Sequence, residues 1–206
     1  MAEPAPQRAD TRVTRSRLLE RALLASGAIA FGIALDDGGS SALAATPSRA
    51  QDVRILNFLL LLEYLQEGFY SAAASSPSLK GEVKEFARIA ADQERAHVEL
   101  LERELGKAAR PRPRLRFDNA TRSTRAFLLR AIELEETATA AMIGEAANLT
   151  TRRIPTAARI VSVDARHAAW LRAIAGEQPA PRAADPAKTA AAALATVKRT
   201  GFVVRS

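Results

Sequence analysis

The chain contains no cysteine. That absence excludes a disulfide, a zinc-thiolate site, an iron-sulfur cluster and a lipoprotein anchor together, so any metal must be held by nitrogen and oxygen. Aromatic residues are scarce at 5%, and the alternating Val, Ile and Thr runs that mark strands are missing. Ala, Leu, Arg and Glu are plentiful instead, which favours helices. An all-α protein is expected. Long apolar runs are also missing: the uncharged segment Ala22 to Leu35 has fourteen residues, short of the roughly twenty that span a bilayer. Histidine is rare, with two in 206 residues. Each stands three positions after an acid, in Glu94-Arg95-Ala96-His97 and Asp164-Ala165-Arg166-His167.

The first 44 residues differ from the rest. Arg12, Arg15 and Arg17 precede the apolar segment, and polar residues follow it, with Ala42-Leu43-Ala44 as a candidate cleavage site. This order is that of an export signal. The segment also resembles a twin-arginine signal, although Ser16 separates the two arginines. Residues 1–44 are therefore expected to form an export signal and linker, placing the protein in the periplasm, the cell envelope or outside the cell. A bundle over residues 45–176 and a tail over 177–206 should follow. Net charge is +7, and it is concentrated. Between Lys107 and Arg130, eight basic side chains face the single Asp118. Such a segment suits anionic envelope polymers or lipid headgroups. Aromatic residues for stacking bases are not interleaved with it, which argues against nucleic acid.

Helix signals divide the remainder. Ser48 with Gln51 reads as a capping box opening a first helix over about 49–73. A second is expected from near Pro77 to Gly106, a third from Thr121 to Asn148, and a fourth from Pro155 to Ala175. Short links join one to two and three to four, which suits antiparallel neighbours. The link from Gly106 to Ala120 is fifteen residues, long enough at about 3.3 Å per residue to travel the length of a bundle. The tail carries three prolines, a helical turn or two and an irregular Gly201-Phe202-Val203-Val204 end.

Each helix interrupts its apolar stripe with acid. Glu63 follows Leu56, Leu59 and Leu60; Glu94 and His97 follow Val83, Phe86 and Ala90; Glu135 follows Leu128, Ala131 and Ile132; Asp164 and His167 follow Ile160 and Val163. Residues three or four apart share a helix face, so these six polar groups should meet in one interior. Four unpaired carboxylates there would each cost several kcal/mol or take up protons. Two divalent cations would balance them and leave the imidazoles as neutral donors. Two Glu from two helices and an acid-x-x-His from each of the others is the inventory of di-iron and di-manganese bundles. Glu136 is the rival to Glu135, but its neighbours at helical spacing suggest a solvated face. Gln66, one turn past Glu63, is placed either to orient it or to face solvent. Tyr70 and Trp170 read first as packing residues.

The segments "LNFLLLLEYLQEGFY", "ADQERAHVELLERELG", "IELEETATAAMIG" and "IVSVDARHAAWLRAI" make the resemblance specific. Over about residues 50–204 the chain resembles the ferritin-like family that includes plant desiccation-related proteins and many exported bacterial proteins. The resemblance implies a four-helix bundle with a long crossover between helices two and three. It implies two iron or manganese ions held by Glu63, Glu94, His97, Glu135, Asp164 and His167, with Asp164 standing where the family usually has Glu. It further implies oxygen or peroxide as substrate, in ferroxidase, peroxidase or catalase-like chemistry. The alternative expectation is a non-catalytic desiccation or envelope-binding bundle whose metal site is structural or absent. Self-association as a homodimer is compatible with either.

Overall fold

The structure is a computed structural model that describes residues 46–204. The export-signal reading of residues 1–44 lies outside them. Among the described residues there are five α-helices and no strand beyond one isolated bridge.

Helix α1 spans Arg49–Ser75. Ser48 caps it, its hydroxyl accepting from the Gln51 amide at 3.2 Å. The expected capping box is only half formed, because the Gln51 side chain accepts from Arg54 rather than reaching back. Almost every turn of α1 is buried on several sides, with Leu56, Leu59, Leu60, Leu65 and Phe69 fully enclosed. A helix buried on several sides needs cover on each of them, and here the next two helices and the crossover supply it.

Helix α2 spans Gly81–Leu105 and begins four residues later than Pro77 suggested. Pro77 and Ser78 form a turn, and Leu79 folds inward to complete burial. The helix then starts at Gly81, whose φ of +56° is available to glycine without strain. Helix α3 spans Thr124–Glu145, capped by Ser123 accepting from the Ala126 amide at 3.2 Å. Its expected first residue, Thr121, instead closes a separate 3-10 turn over Asp118–Thr121. Helix α4 spans Ile154–Ile174 with Pro155 in its first turn, where the missing amide hydrogen costs nothing.

The chain contacts trace the topology. Asp52 at the start of α1 accepts from Thr150 after α3, and Trp170 near the end of α4 donates to Glu82 at the start of α2. Helices α1 and α4 therefore run one way, α2 and α3 the other. The crossover runs along α1. Asn57 holds Ala108 and Arg110, Glu67 pairs with Arg112, and Ser76 donates to the Thr121 carbonyl at 2.8 Å. From Asn57 to Ser76 is roughly 28 Å at about 1.5 Å per helical residue, which makes the crossover an end-to-end strap. It lies tight against Gly68, where an added Cβ would stand 3.0 Å from Leu115 and 3.1 Å from Phe117.

The tail is more regular than expected. Its helix α5, Ala190–Thr200, has eleven residues, a Thr189 cap and a left-handed Gly201 at its end. Ala190, Ala193, Thr196 and Val197 pack it on the bundle, since alanine allows close approach. Beyond it, Val203 bridges to Leu115 antiparallel, and the Arg116 amide donates to the Phe202 carbonyl at 2.9 Å. The tail thus clasps the crossover.

Candidate metal centre

Each helix of the bundle brings its acid to the same depth. Glu63 comes from α1, Glu94 and His97 from α2, Glu135 from α3, and Asp164 and His167 from α4. All four carboxylates are completely buried, and His97 and His167 are 8% and 3% exposed. The structure brings all six predicted residues together.

They form two overlapping quartets. Glu63, Glu94, His97 and Asp164 make one, while Glu94, Glu135, Asp164 and His167 make the other. Within each, one donor atom per residue lies within 4.8 Å of the rest. Glu94 and Asp164 belong to both, which places them between two positions. Both imidazoles turn Nδ1 inward. His97 Nδ1 lies 2.9 Å from Glu94 Oε2, 3.3 Å from Glu63 Oε2 and 3.6 Å from Asp164 Oδ1. His167 Nδ1 lies 3.0 Å from Glu94 Oε1 and 3.5 Å from Glu135 Oε1.

His97 hydrogen-bonds to Glu94 and Glu63, but much of the cluster is close without hydrogen bonding. Among buried side-chain atoms without a hydrogen-bond partner are Glu63 Oε1, Glu94 Oε1, both Asp164 oxygens and His167 Nδ1. His167 Nδ1 and Glu94 Oε1 are close, yet they point past each other. Buried polar atoms are rarely orphaned, and here five converge on one interior. Hard carboxylate oxygens with imidazole nitrogen, and no thiolate, fit iron or manganese. The residues present fit a pair of such ions.

Electrostatics tell the same story. Burial, reinforced by Glu94, pushes the Glu63 carboxyl well above the usual range, and burial with Glu63 and Glu94 does the same to Asp164. Glu135 is also raised by burial. Burial opposes the charged form of Glu94 as well, but the two imidazoles beside it win and hold it at about 2. Burial likewise works against each imidazolium, yet neighbouring carboxylates raise His97 and His167 to about 10. The protein alone therefore balances its acids with protons. Cations would compete for the same atoms.

Three neighbours orient the cluster. Gln66 was expected to steady Glu63 or to face solvent; its amide instead donates to Glu135 Oε2 at 3.0 Å, because the next turn of α1 faces α3. Tyr70 donates to Glu135 Oε1 at 2.5 Å, so it is more than packing, and burial raises its phenol well above the usual value. Gln93 carries no sequence signal at all, since it sits on an exposed face of α2. Its Oε1 nevertheless lies 2.6 Å from His167 Nε2. Accepting the Nε2–H hydrogen bond leaves Nδ1 facing the acids, where a cation could take the place of its proton. Glu136, the rival to Glu135, turns away to pair with Arg172.

Among known proteins, a family model described as the ferritin-like domain matches residues 51–177. No curated protein matches the chain.

Proposed function

The chain belongs to the ferritin-like domain family, and from that premise we propose that its buried cluster holds two iron or manganese ions for oxygen or peroxide chemistry. The observation that carries this reading is the pair of quartets sharing Glu94 and Asp164. Glu63 and His97 would complete one position, Glu135 and His167 the other. When bound, two such ions would supply electrons to a small oxidant. The side chains do the rest. Gln93 keeps His167 Nδ1 turned toward the cluster, Tyr70 and Gln66 fix both oxygens of Glu135, and the surrounding leucines and phenylalanines keep bulk water out.

Asp164, one methylene shorter than Glu, belongs to both quartets despite its length. That would put it within reach of both ions. Export, the desiccation-related subtype and stress protection rest on the leader pattern and the sequence resemblance, and they belong to the same proposal. So does a surface partner: Arg112, Arg116 and Arg130 are committed to acids, while the exposed Lys107, Arg114, Arg122 and Arg125 form no ion pair among the described residues. These suit an anionic envelope polymer or lipid surface rather than nucleic acid.

Elemental analysis of protein isolated from its own compartment tests the reading. About two iron or manganese ions per chain are expected, by the donor inventory of such bundles. They should vanish in the His97→Ala, His167→Ala double variant together with peroxide consumption. Protein that is metal-free at full stability supports the non-catalytic bundle instead.

A further inference from the structure

Aromatic rings continue outward from the cluster. The chain has one tryptophan, Trp170, partly buried and one turn after His167. Its ring meets Phe86 edge-on at 5.0 Å between centroids, and Phe86 meets the His167 imidazole edge-on at 5.7 Å. Phe86 also lies 5.5 Å from Tyr70, which donates to Glu135. Phe86 itself is fully buried. One ring thus links an indole at the rim to a donor of the cluster on one side and to the hydrogen-bond partner of another donor on the other.

The outer end has chemistry of its own. The indole Nε1–H donates to Glu82 Oε1 at 3.1 Å, and Glu82 is exposed. Packing against Phe86 explains the ring but not this contact, because a partly buried indole can satisfy its N–H with water. An indole that loses an electron becomes strongly acidic at nitrogen. A carboxylate open to solvent is then the group needed to take the proton and pass it on.

We propose that Trp170 is a one-electron donor to the metal centre, coupled to it through Phe86 and His167, with Glu82 receiving the indole proton. This rests on the redox reading above. The oxidant is hydrogen peroxide. One electron leaves the indole and one leaves a divalent ion, which becomes trivalent. The O–O bond breaks, and two waters form as the indole proton, carried off by Glu82, and one further proton from solvent are taken up. The product is a neutral indole radical at the protein rim, where an external reductant can restore it. Such a donor lets a centre with one oxidisable ion complete a two-electron reduction.

The test mixes protein loaded with a single ferrous equivalent per chain with peroxide, without oxygen. It follows the indole radical by freeze-quench paramagnetic resonance, oxygen addition at Trp170 by mass spectrometry, and peroxide consumption. An indole radical is expected in the wild type, with a reduced yield in Phe86→Leu and none in Trp170→Phe, all three at equal iron content. Iron-dependent peroxide consumption with an untouched indole overturns the donor and leaves the redox reading standing. Absence of iron-dependent consumption removes both. A radical that persists in the His97→Ala, His167→Ala variant with iron free in solution implicates diffusing oxidants and also overturns the proposal.

Discussion

At the scale of single residues, the cluster is a set of buried groups in which each proton stands where a cation could. Replacing Asp164 by Asn keeps the shape and removes an ionisable group whose two oxygens have no hydrogen-bond partner. The metal-free variant should melt no lower than wild type, because it no longer carries a desolvated acid. Metal content should nonetheless fall to about one ion or fewer per chain, if Asp164 bridges two ions as in di-metal bundles. Calorimetry and elemental analysis check the two halves separately. Gln93→Leu tests orientation. Without an acceptor at Nε2, His167 loses the partner that keeps Nδ1 turned toward the cluster, and metal affinity should drop by about 10–100-fold, measured by competition with a chelator, while Gln93→Glu retains it.

At the scale of elements, the helices are held by close approaches that local propensity does not reveal. Gly144 lies in the last turn of α3, where an added Cβ would stand 2.0 Å from the Lys188 carbonyl oxygen. The Lys188 amide also donates to Ala140 at 2.8 Å, so the tail backbone rests on the helix. An exposed helical Gly→Ala change normally gains about 1 kcal/mol. Here Gly144→Ala should lose about 1–3 kcal/mol through overpacking, read from urea unfolding. Phe202 shows the same dependence from the other side. It stacks on Phe69 at 5.8 Å and meets Phe117 at 5.1 Å, joining tail, crossover and α1. Phe202→Ala should cost about 3 kcal/mol or more and expose the crossover to limited proteolysis.

At the scale of the whole molecule, pH sets the balance between protons and cations. His97 and His167 rise from an ordinary value of 6.5 to about 10. Their contribution to the metal-free fold is complete below 6.5 and is lost as pH climbs through about 10. Glu63, Glu135 and Asp164 are raised as well, so the folded state holds more protons than the unfolded chain and again loses stability with rising pH. Glu94 acts oppositely, but its contribution disappears only as pH falls through about 2. The melting temperature of metal-free protein should therefore decline from pH 6.5 to pH 10. Metal binding displaces the same protons and strengthens over that range, so the gap between loaded and metal-free protein widens. Melting curves with and without added manganese check this.

The sequence by itself determined the helical class, the long crossover and the meeting of six polar groups, because a 3.6-residue period assigns faces and buried acids at Glu63, Glu94, Glu135 and Asp164 stand out against leucine. It misplaced the starts of α2 and α3, where Leu79 folds inward after Pro77 and a 3-10 turn occupies Asp118–Thr121. It missed the partner of Gln66 and was silent on Gln93. Only the tertiary structure decided those contacts, along with the clasp of Val203 on Leu115 and the aromatic path from Trp170. Periodicity says which way a side chain leaves its own helix; what it meets depends on how neighbouring helices are packed and stacked in height, which no single helix encodes.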